Sequence, residues 1–285
     1  MSVARMIYNE LVYGGHLLAL GTSSMAATVA FVIGRTPSWD LLLMAYLFSF
    51  AAYTTNRLSD FDQDKVSHPA RTAYLEGRRG SLKLIAGSCF LLGYFLAFFR
   101  NWVFFAGLLV PLVLAVAYSV SSRRMEGTLG ISRLKEGALV KNVAISFGWS
   151  LVPVLVGLYY LDVSAGVLAL APFIFLRLMV NTIFFDQRDV EADASFGVKT
   201  IPVVLGMPAS SKIMDLLDIA SGVYLLGVVA AGVVPLFAAT LIVFVPYSFA
   251  YRVYARSGKH RDSLRDFAAD GEYLLWGVVT YFGHL

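Results

Sequence analysis

The chain has 285 residues, 58% of them hydrophobic and 15% charged, with a mean hydropathy of +0.69. Those values exclude a soluble globular domain and describe an integral membrane protein. The formal charge of +4 comes with no RNA- or DNA-binding motif, so no nucleic-acid partner is expected, and the basic loops sit against anionic lipid.

A helix needs about 20 apolar residues to cross a bilayer. Runs of that kind cover residues 8–33, 38–56, 82–99, 102–120, 137–158, 163–185, 211–231, 233–254 and 267–283. They predict an all-α protein of nine transmembrane helices in a single domain, residues 1–285. The first run is too long for a cleavable signal and lacks a small-residue cleavage site, so it is expected to stay as the first span. Cys89 is the only cysteine and lies inside the third run, which rules out an intramolecular disulfide or a cysteine metal cluster.

Twenty of the 23 basic residues fall on one side of this map, against Arg35 and Arg100 on the other and Arg177 inside a span. The positive-inside rule then puts the N-terminus and the charged loops in the cytoplasm and the C-terminus outside, in a multi-pass protein of the cell membrane.

Two acidic clusters end apolar runs on the cytoplasmic side: Asn56-Arg57-Leu58-Ser59-Asp60-Phe61-Asp62-Gln63-Asp64, and Asp186-Gln187-Arg188-Asp189-Val190-Glu191-Ala192-Asp193. Both carry the pattern Asp-x-acid-x-Asp, and a basic-Thr pair follows each, Arg71-Thr72 and Lys199-Thr200. If the second helix continues to Asp64, then Asn56, Asp60 and Asp64 form one stripe, with Asp62 on the opposite side. Thr182, Asp186, Asp189 and Asp193 share a helical face, and Arg177 and Asn181 precede them on a neighbouring one. A carboxylate at membrane depth needs a cation, a partner or water. Hard oxygen ligands without His or Cys suit Mg²⁺, which completes its shell with water and substrate phosphate. Asp60, Asp64, Asp186, Asp189 and Asp193 are therefore the expected metal ligands, with Arg71 and Lys199 as diphosphate clamps. The alternative, a pair of solvated helix ends meeting basic loops, explains the matched arrays less well.

These residues resemble the UbiA superfamily of intramembrane prenyltransferases. Asn56, Asp60 and Asp64 match its first motif, with Pro69 and Arg71 at the Pro-x-Arg positions that follow. Asp186, Asp189, Asp193 and Gly197-Val198-Lys199-Thr200-Ile201-Pro202-Val203 match its second motif in full. Arg57 departs from the pattern, standing where many members have Asp; it cannot bind metal and is expected to touch diphosphate. Tyr118-Ser119 and Arg133-Leu134-Lys135 resemble the family's loop between helices four and five, with about ten residues inserted.

The resemblance implies a nine-helix bundle around a central cavity and Mg²⁺-dependent transfer from an isoprenyl diphosphate. Asp60, Asp64, Asp189 and Asp193 would be catalytic. Asn56, Arg57, Arg71, Arg133, Lys135, Asn181 and Lys199 would bind diphosphate. Tyr53, one turn before Asn56, and Tyr118 would line the prenyl cavity, where an aromatic face stabilises an allylic cation. The hydrophobic acceptor, an aromatic or quinone precursor or a lipid, carries no motif. Cyclisation by a terpene cyclase of the same superfamily, and non-catalytic lipid binding or transport, remain the competing readings; transport fits poorly with acids at helix ends.

Overall fold

The computed structural model describes residues 3–119, 140–256 and 261–285, less the side chains of residues 4, 63, 115–119 and 261–265. Every regular element among them is helical. In chain order they are α1 (Val3–Tyr8), a π-helical turn (Asn9–Tyr13), α2 (His16–Val32), α3 (Trp39–Ser59), α4 (Phe61–Ser67), α5 (Pro69–Glu76), α6 (Arg79–Arg100) and α7 (Trp102–Ser119). There follow α8 (Val140–Ser150), α9 (Val152–Tyr160), α10 (Ala165–Ser195), α11 (Ile201–Ala230), a 3₁₀ run (Leu236–Val243), α12 (Phe244–Arg256) and α13 (Arg261–His284).

Five of these stretches are long and apolar enough to cross a membrane, or six if a bent pair counts as one span, among the described residues. The expected count of nine is not confirmed by these stretches; the fourth run counts only as a shorter apolar helix, Trp102–Leu114. The first run is the bent pair: Arg5–Tyr13 and His16–Val32 meet at 61°. Gly14 and Gly15 make the bend. Gly15 has φ +86°, and a Cβ there would lie 3.1 Å from the Tyr53 ring; at Gly14 it would lie 2.2 Å from the Glu10 carbonyl oxygen. α3 and α13 fall outside the five: α13 carries six charged residues, and the end of α3 is the polar run Tyr53-Thr54-Thr55-Asn56-Arg57.

The chain forms two compact units, Met1–Phe105 with Ala250–Leu285, and Ala106–Phe249. In the first unit α2 packs on α3 and α13, and α3 on α6. Apolar burial drives little helix association in lipid, so small residues and interhelical hydrogen bonds carry it. The α2–α13 contact follows that rule. A Cβ on Gly277 would come within 2.4 Å of the Ser24 hydroxyl, and one on Gly21 within 3.1 Å of the Tyr273 Cβ. The Ser24 hydroxyl donates to the Leu274 carbonyl at 2.6 Å and accepts from the Gly277 N–H at 2.8 Å, and Thr28 pairs with Thr280 at 3.2 Å.

In the second unit α10 packs on α8, α9 and α11. Pro153 follows the break between α8 and α9. α11 is bent at Gly206, whose φ of +81° is non-helical. Between α10 and α11 the Gln187 amide donates to the hydroxyls of Ser210 and Ser211 at 2.7 and 3.0 Å. Deeper in, Arg177 and Asp218 form an ion pair with both side chains almost fully buried. Arg177 also donates to the Phe244 carbonyl at 2.9 Å, and the Ser248 hydroxyl donates to the second Asp218 oxygen. Three membrane helices, α10, α11 and α12, are tied at this point.

Candidate functional site

The first acidic cluster lies where α3 gives way to α4 and α5. Asp60 leaves the helical region (φ −98°, ψ 17°), so the continuous helix expected through Asp64 is broken there. The backbone ladder nevertheless survives the break. Asp60 N–H donates to the Asn56 carbonyl at 3.0 Å, Asp64 to Asp60 at 3.0 Å, and His68 to Asp64 at 2.7 Å. Asn56, Asp60 and Asp64 therefore keep their four-residue phase. Pro69 then opens α5, where a missing N–H costs nothing. α5 brings the Arg71 guanidinium 2.9 Å from the Asp64 carboxylate. Thr72 donates its hydroxyl to the Asp64 and His68 carbonyls at 2.9 and 2.8 Å. The Arg-Thr pair thus locks the turn behind the acids.

Arg57, expected to touch diphosphate, is occupied within the protein. Its side chain is buried, and its terminal nitrogens donate to the carbonyls of Val12 and Tyr13 and to the Tyr53 hydroxyl. The reason is local: at the glycine bend the Val12 carbonyl accepts a long backbone bond, from the Gly15 N–H at 3.3 Å, and a guanidinium fork adds donors to it and to the Tyr13 carbonyl at once. Its carbon lies 3.9 Å from the centre of the Tyr53 ring, so one face of that ring already carries a cation. Nearby, Arg78 donates to Glu10 at 2.7 Å and to the Tyr74 hydroxyl at 2.6 Å, on the wall of a cleft of about 380 Å³. Desolvation, then the hydrogen bond to Glu10, pushes the Tyr74 phenol up to about 12.

The second cluster rides on α10, which stays helical through Asp193 and Ser195 as its spacing predicts. A Schellman motif stops it: Gly197 (φ +70°) donates to the Ala194 carbonyl at 3.2 Å and Val198 to the Asp193 carbonyl at 2.8 Å. Thr200, extended, then stands at the N-cap position of α11, its carbonyl accepting from the Val204 N–H at 2.9 Å, and Pro202 occupies the first turn. The sequence Gly-Val-Lys-Thr-Ile-Pro is therefore a helix stop and restart. It leaves Lys199 exposed in the gap.

Asp186 and Asp193 are 2% and 1% exposed, whereas Asp189 is half-buried and paired with its neighbour Arg188 at 2.9 and 3.0 Å. Lys141, at the start of α8, places its ammonium 2.7 Å from one Asp186 oxygen and 3.6 Å from an Asp193 oxygen. The Asn142 amide donates to the other Asp186 oxygen at 2.6 Å. A cation thus already bridges two of the expected ligands, and the donor set, hard carboxylate oxygen throughout, suits Mg²⁺. Among the described residues, however, no three acidic or His side chains gather as a ready-made metal cage. Asp64 is instead held by Arg71, Asp186 and Asp193 by Lys141, and Asp189 by Arg188.

Asn181 is buried on α10 and Asn56 is exposed on α3. Arg133, Lys135 and the Tyr118 side chain lie outside the described residues. Sequence reasoning missed Lys141 and Asn142, which it counted as a loop charge and a span residue. A Lys-Asn pair opening an apolar run is the signal that was available.

The chain matches the model of the UbiA prenyltransferase family over residues 18–277. It is 30% identical over 226 residues to the digeranylgeranylglyceryl phosphate synthase of Methanothermobacter thermautotrophicus, covering 76% of this chain and 75% of that protein. The protein of the same name from Thermococcus sibiricus is 25% identical over 218 residues, 73% of this chain and 71% of the other. Among solved structures, a UbiA homolog from Archaeoglobus fulgidus bound to GPP and Mg²⁺ matches with a TM-score of 0.66 at 18% identity, covering 96% of this chain and 98% of that one. The apo structure of a UbiA homolog from Aeropyrum pernix K1 gives the same TM-score at 16% identity, with 94% and 95% covered. At such identity the structural likeness speaks for the fold.

Proposed function

This chain belongs to the UbiA prenyltransferase family, and we propose that it is a Mg²⁺-dependent enzyme that moves an isoprenyl group from an isoprenyl diphosphate to a lipid-type acceptor. One observation carries the reading: Asp186 and Asp193 lie buried on one face of α10, held by a cation, ahead of a helix stop that exposes Lys199. Such a face is costly in a membrane protein unless it handles charge. Bound there, Mg²⁺ would supply charge neutralisation on the departing diphosphate.

The chain's own groups would do the rest. Asp60 and Asp64 of the first motif would hold metal in one unit, and Asp186, Asp189 and Asp193 of the second motif would do so in the other. Arg71 and Lys199 present charged donors to phosphate oxygens, which is where negative charge grows as the allylic bond breaks. The prenyl tail runs into apolar surroundings that keep water from the cation. One face of the Tyr53 ring belongs to Arg57, and the other is the face proposed for the allylic cation.

The names of the two curated relatives favour a glyceryl phosphate lipid as acceptor over an aromatic ring. The N-terminus and both motifs are assigned to the cytoplasmic side by the distribution of basic residues. The test is product mass. Purified protein receives Mg²⁺ and allylic diphosphates of several lengths, with and without a prenylated glyceryl phosphate. Transfer gives a product of acceptor plus prenyl group and requires the acceptor; Asp60→Asn and Asp193→Asn abolish it in folded protein. Efficient conversion to a cyclic terpene without acceptor would replace transfer with cyclisation.

A further inference from the structure

Two buried carboxylates share one monovalent cation in the second unit. Asp186 and Asp193 stand seven residues apart, two turns on one helix face, with 2% and 1% of their surface exposed. The Lys141 ammonium lies 2.7 Å from the first and 3.6 Å from the second, the latter beyond hydrogen-bond length. A divalent ion would bring the two carboxylates one more positive charge than the ammonium does. Asn142 fixes the other Asp186 oxygen at 2.6 Å, so the carboxylate holds its orientation whichever cation it meets. Lys141 is different in kind. Its side chain is 25% exposed, it starts α8 rather than sitting inside it, and its four-carbon stem can swing without moving backbone.

We propose that Lys141 is a placeholder for the metal: its ammonium neutralises Asp186 and Asp193 in the metal-free protein and is exchanged for Mg²⁺ when the site loads. The inference rests on the Mg²⁺ reading given above. Exchange raises the charge of the carboxylate pair's surroundings by one and releases a tethered ammonium that needs an anion. A diphosphate arriving with the metal is such an anion, so metal and diphosphate would load together, each favouring the other by the same factor. Metal alone has to evict the lysine without that compensation. The site would therefore stay closed to Mg²⁺ until substrate is present.

Binding of Mn²⁺ alone, followed by the loss of its free paramagnetic resonance signal in detergent-solubilised protein, tests this without turnover. Lys141→Gln removes the competitor and should bind Mn²⁺ about tenfold more tightly than the wild type. Its metal-free form should melt lower, since two buried carboxylates lose their cation, and Mn²⁺ should restore it. Lys141→Arg, whose fork grips a carboxylate better, should bind Mn²⁺ more weakly than the wild type, and it decides the matter should the glutamine variant fail to fold. Adding Asp193→Asn to Lys141→Gln should remove the gain. Equal or weaker Mn²⁺ binding by Lys141→Gln, or unchanged binding by Lys141→Arg, overturns the placeholder and leaves the transferase reading standing. Absence of Mn²⁺ binding in all folded variants, with or without an allylic diphosphate, overturns both.

Discussion

Replacing Arg177 with Met leaves the Asp218 carboxylate fully buried without its guanidinium partner, the Ser248 hydroxyl still donating to it, and strips the Phe244 carbonyl of its Arg177 donor. Breaking a buried pair by removing one partner costs about 3–5 kcal/mol, because the surviving charge is uncompensated. At roughly 2–4 °C per kcal/mol for a chain of this order of size, the melting temperature should fall by about 10 °C. The double variant Arg177→Met/Asp218→Leu removes the charge as well, and the released Ser248 hydroxyl can turn to the carbonyl four residues earlier, that of Phe244, as helical serines do. Both orphaned groups are then satisfied, and most of the lost stability should return, with a coupling energy of about 3 kcal/mol in the double-mutant cycle. Thermal unfolding in detergent, read by retention of the monodisperse peak on size exclusion, measures all four proteins. A single variant that melts within 2 °C of the wild type, or a double variant as unstable as the sum of the singles, would refute the view that this pair is a structural tie between α10, α11 and α12.

Arg57→Lys should destabilise the protein by about 1–3 kcal/mol, since one ammonium cannot serve the Val12 and Tyr13 carbonyls and the Tyr53 hydroxyl together; melting temperature should drop while affinity for an allylic diphosphate holds, and the opposite pattern would return Arg57 to the substrate. Gly197→Ala places a Cβ at φ +70° in the Schellman turn and should cost about 1–2 kcal/mol, with Gly197→Asn milder, as judged by the same melting assay. A cysteine at Ser67, in a Cys89→Ala background, should react with an impermeant maleimide only after the cytoplasmic side is opened, and labelling of intact cells would invert the topology.

The sequence made some parts of this molecule plain and concealed others for physical reasons. The acids on α10 were readable because a helix of regular spacing fixes which residues share a face, and Gly197 with Pro202 announced its stop. Asp60 was harder. Its four-residue phase was legible, but the bend that separates α3 from α4 depends on how Arg71 and Thr72 fold back on Asp64. Hydropathy saw residues 8–33 as one run, since averaging over a window erases a two-glycine bend whose stability depends on Arg57, some 42 residues later in the chain. Asp218 was invisible as a functional partner for the same reason: one acid in a long apolar helix gains its meaning from Arg177, on another helix altogether. Lys141 was counted for topology, where only its sign mattered. Its position against Asp186 was a tertiary fact.

The length of α10 has a consequence for how a substrate meets this protein. Thirty-one helical residues extend about 46 Å, while the hydrocarbon layer is about 30 Å thick. With Ser164 at the far interface, about ten residues stand clear of the oil, and the stretch from Asp186 to Ser195 is of that length. The carboxylates would then lie at the height of lipid headgroups, as markings on a ruler fixed in the leaflet. A diphosphate anchored in that leaflet by its prenyl tail diffuses sideways with its charged end already at that level. It reaches the acids without rising into water or sinking into oil, whereas an untethered diphosphate has no such alignment. Selection for the proposed membrane-borne substrate would then be built into depth before any pocket contact is made.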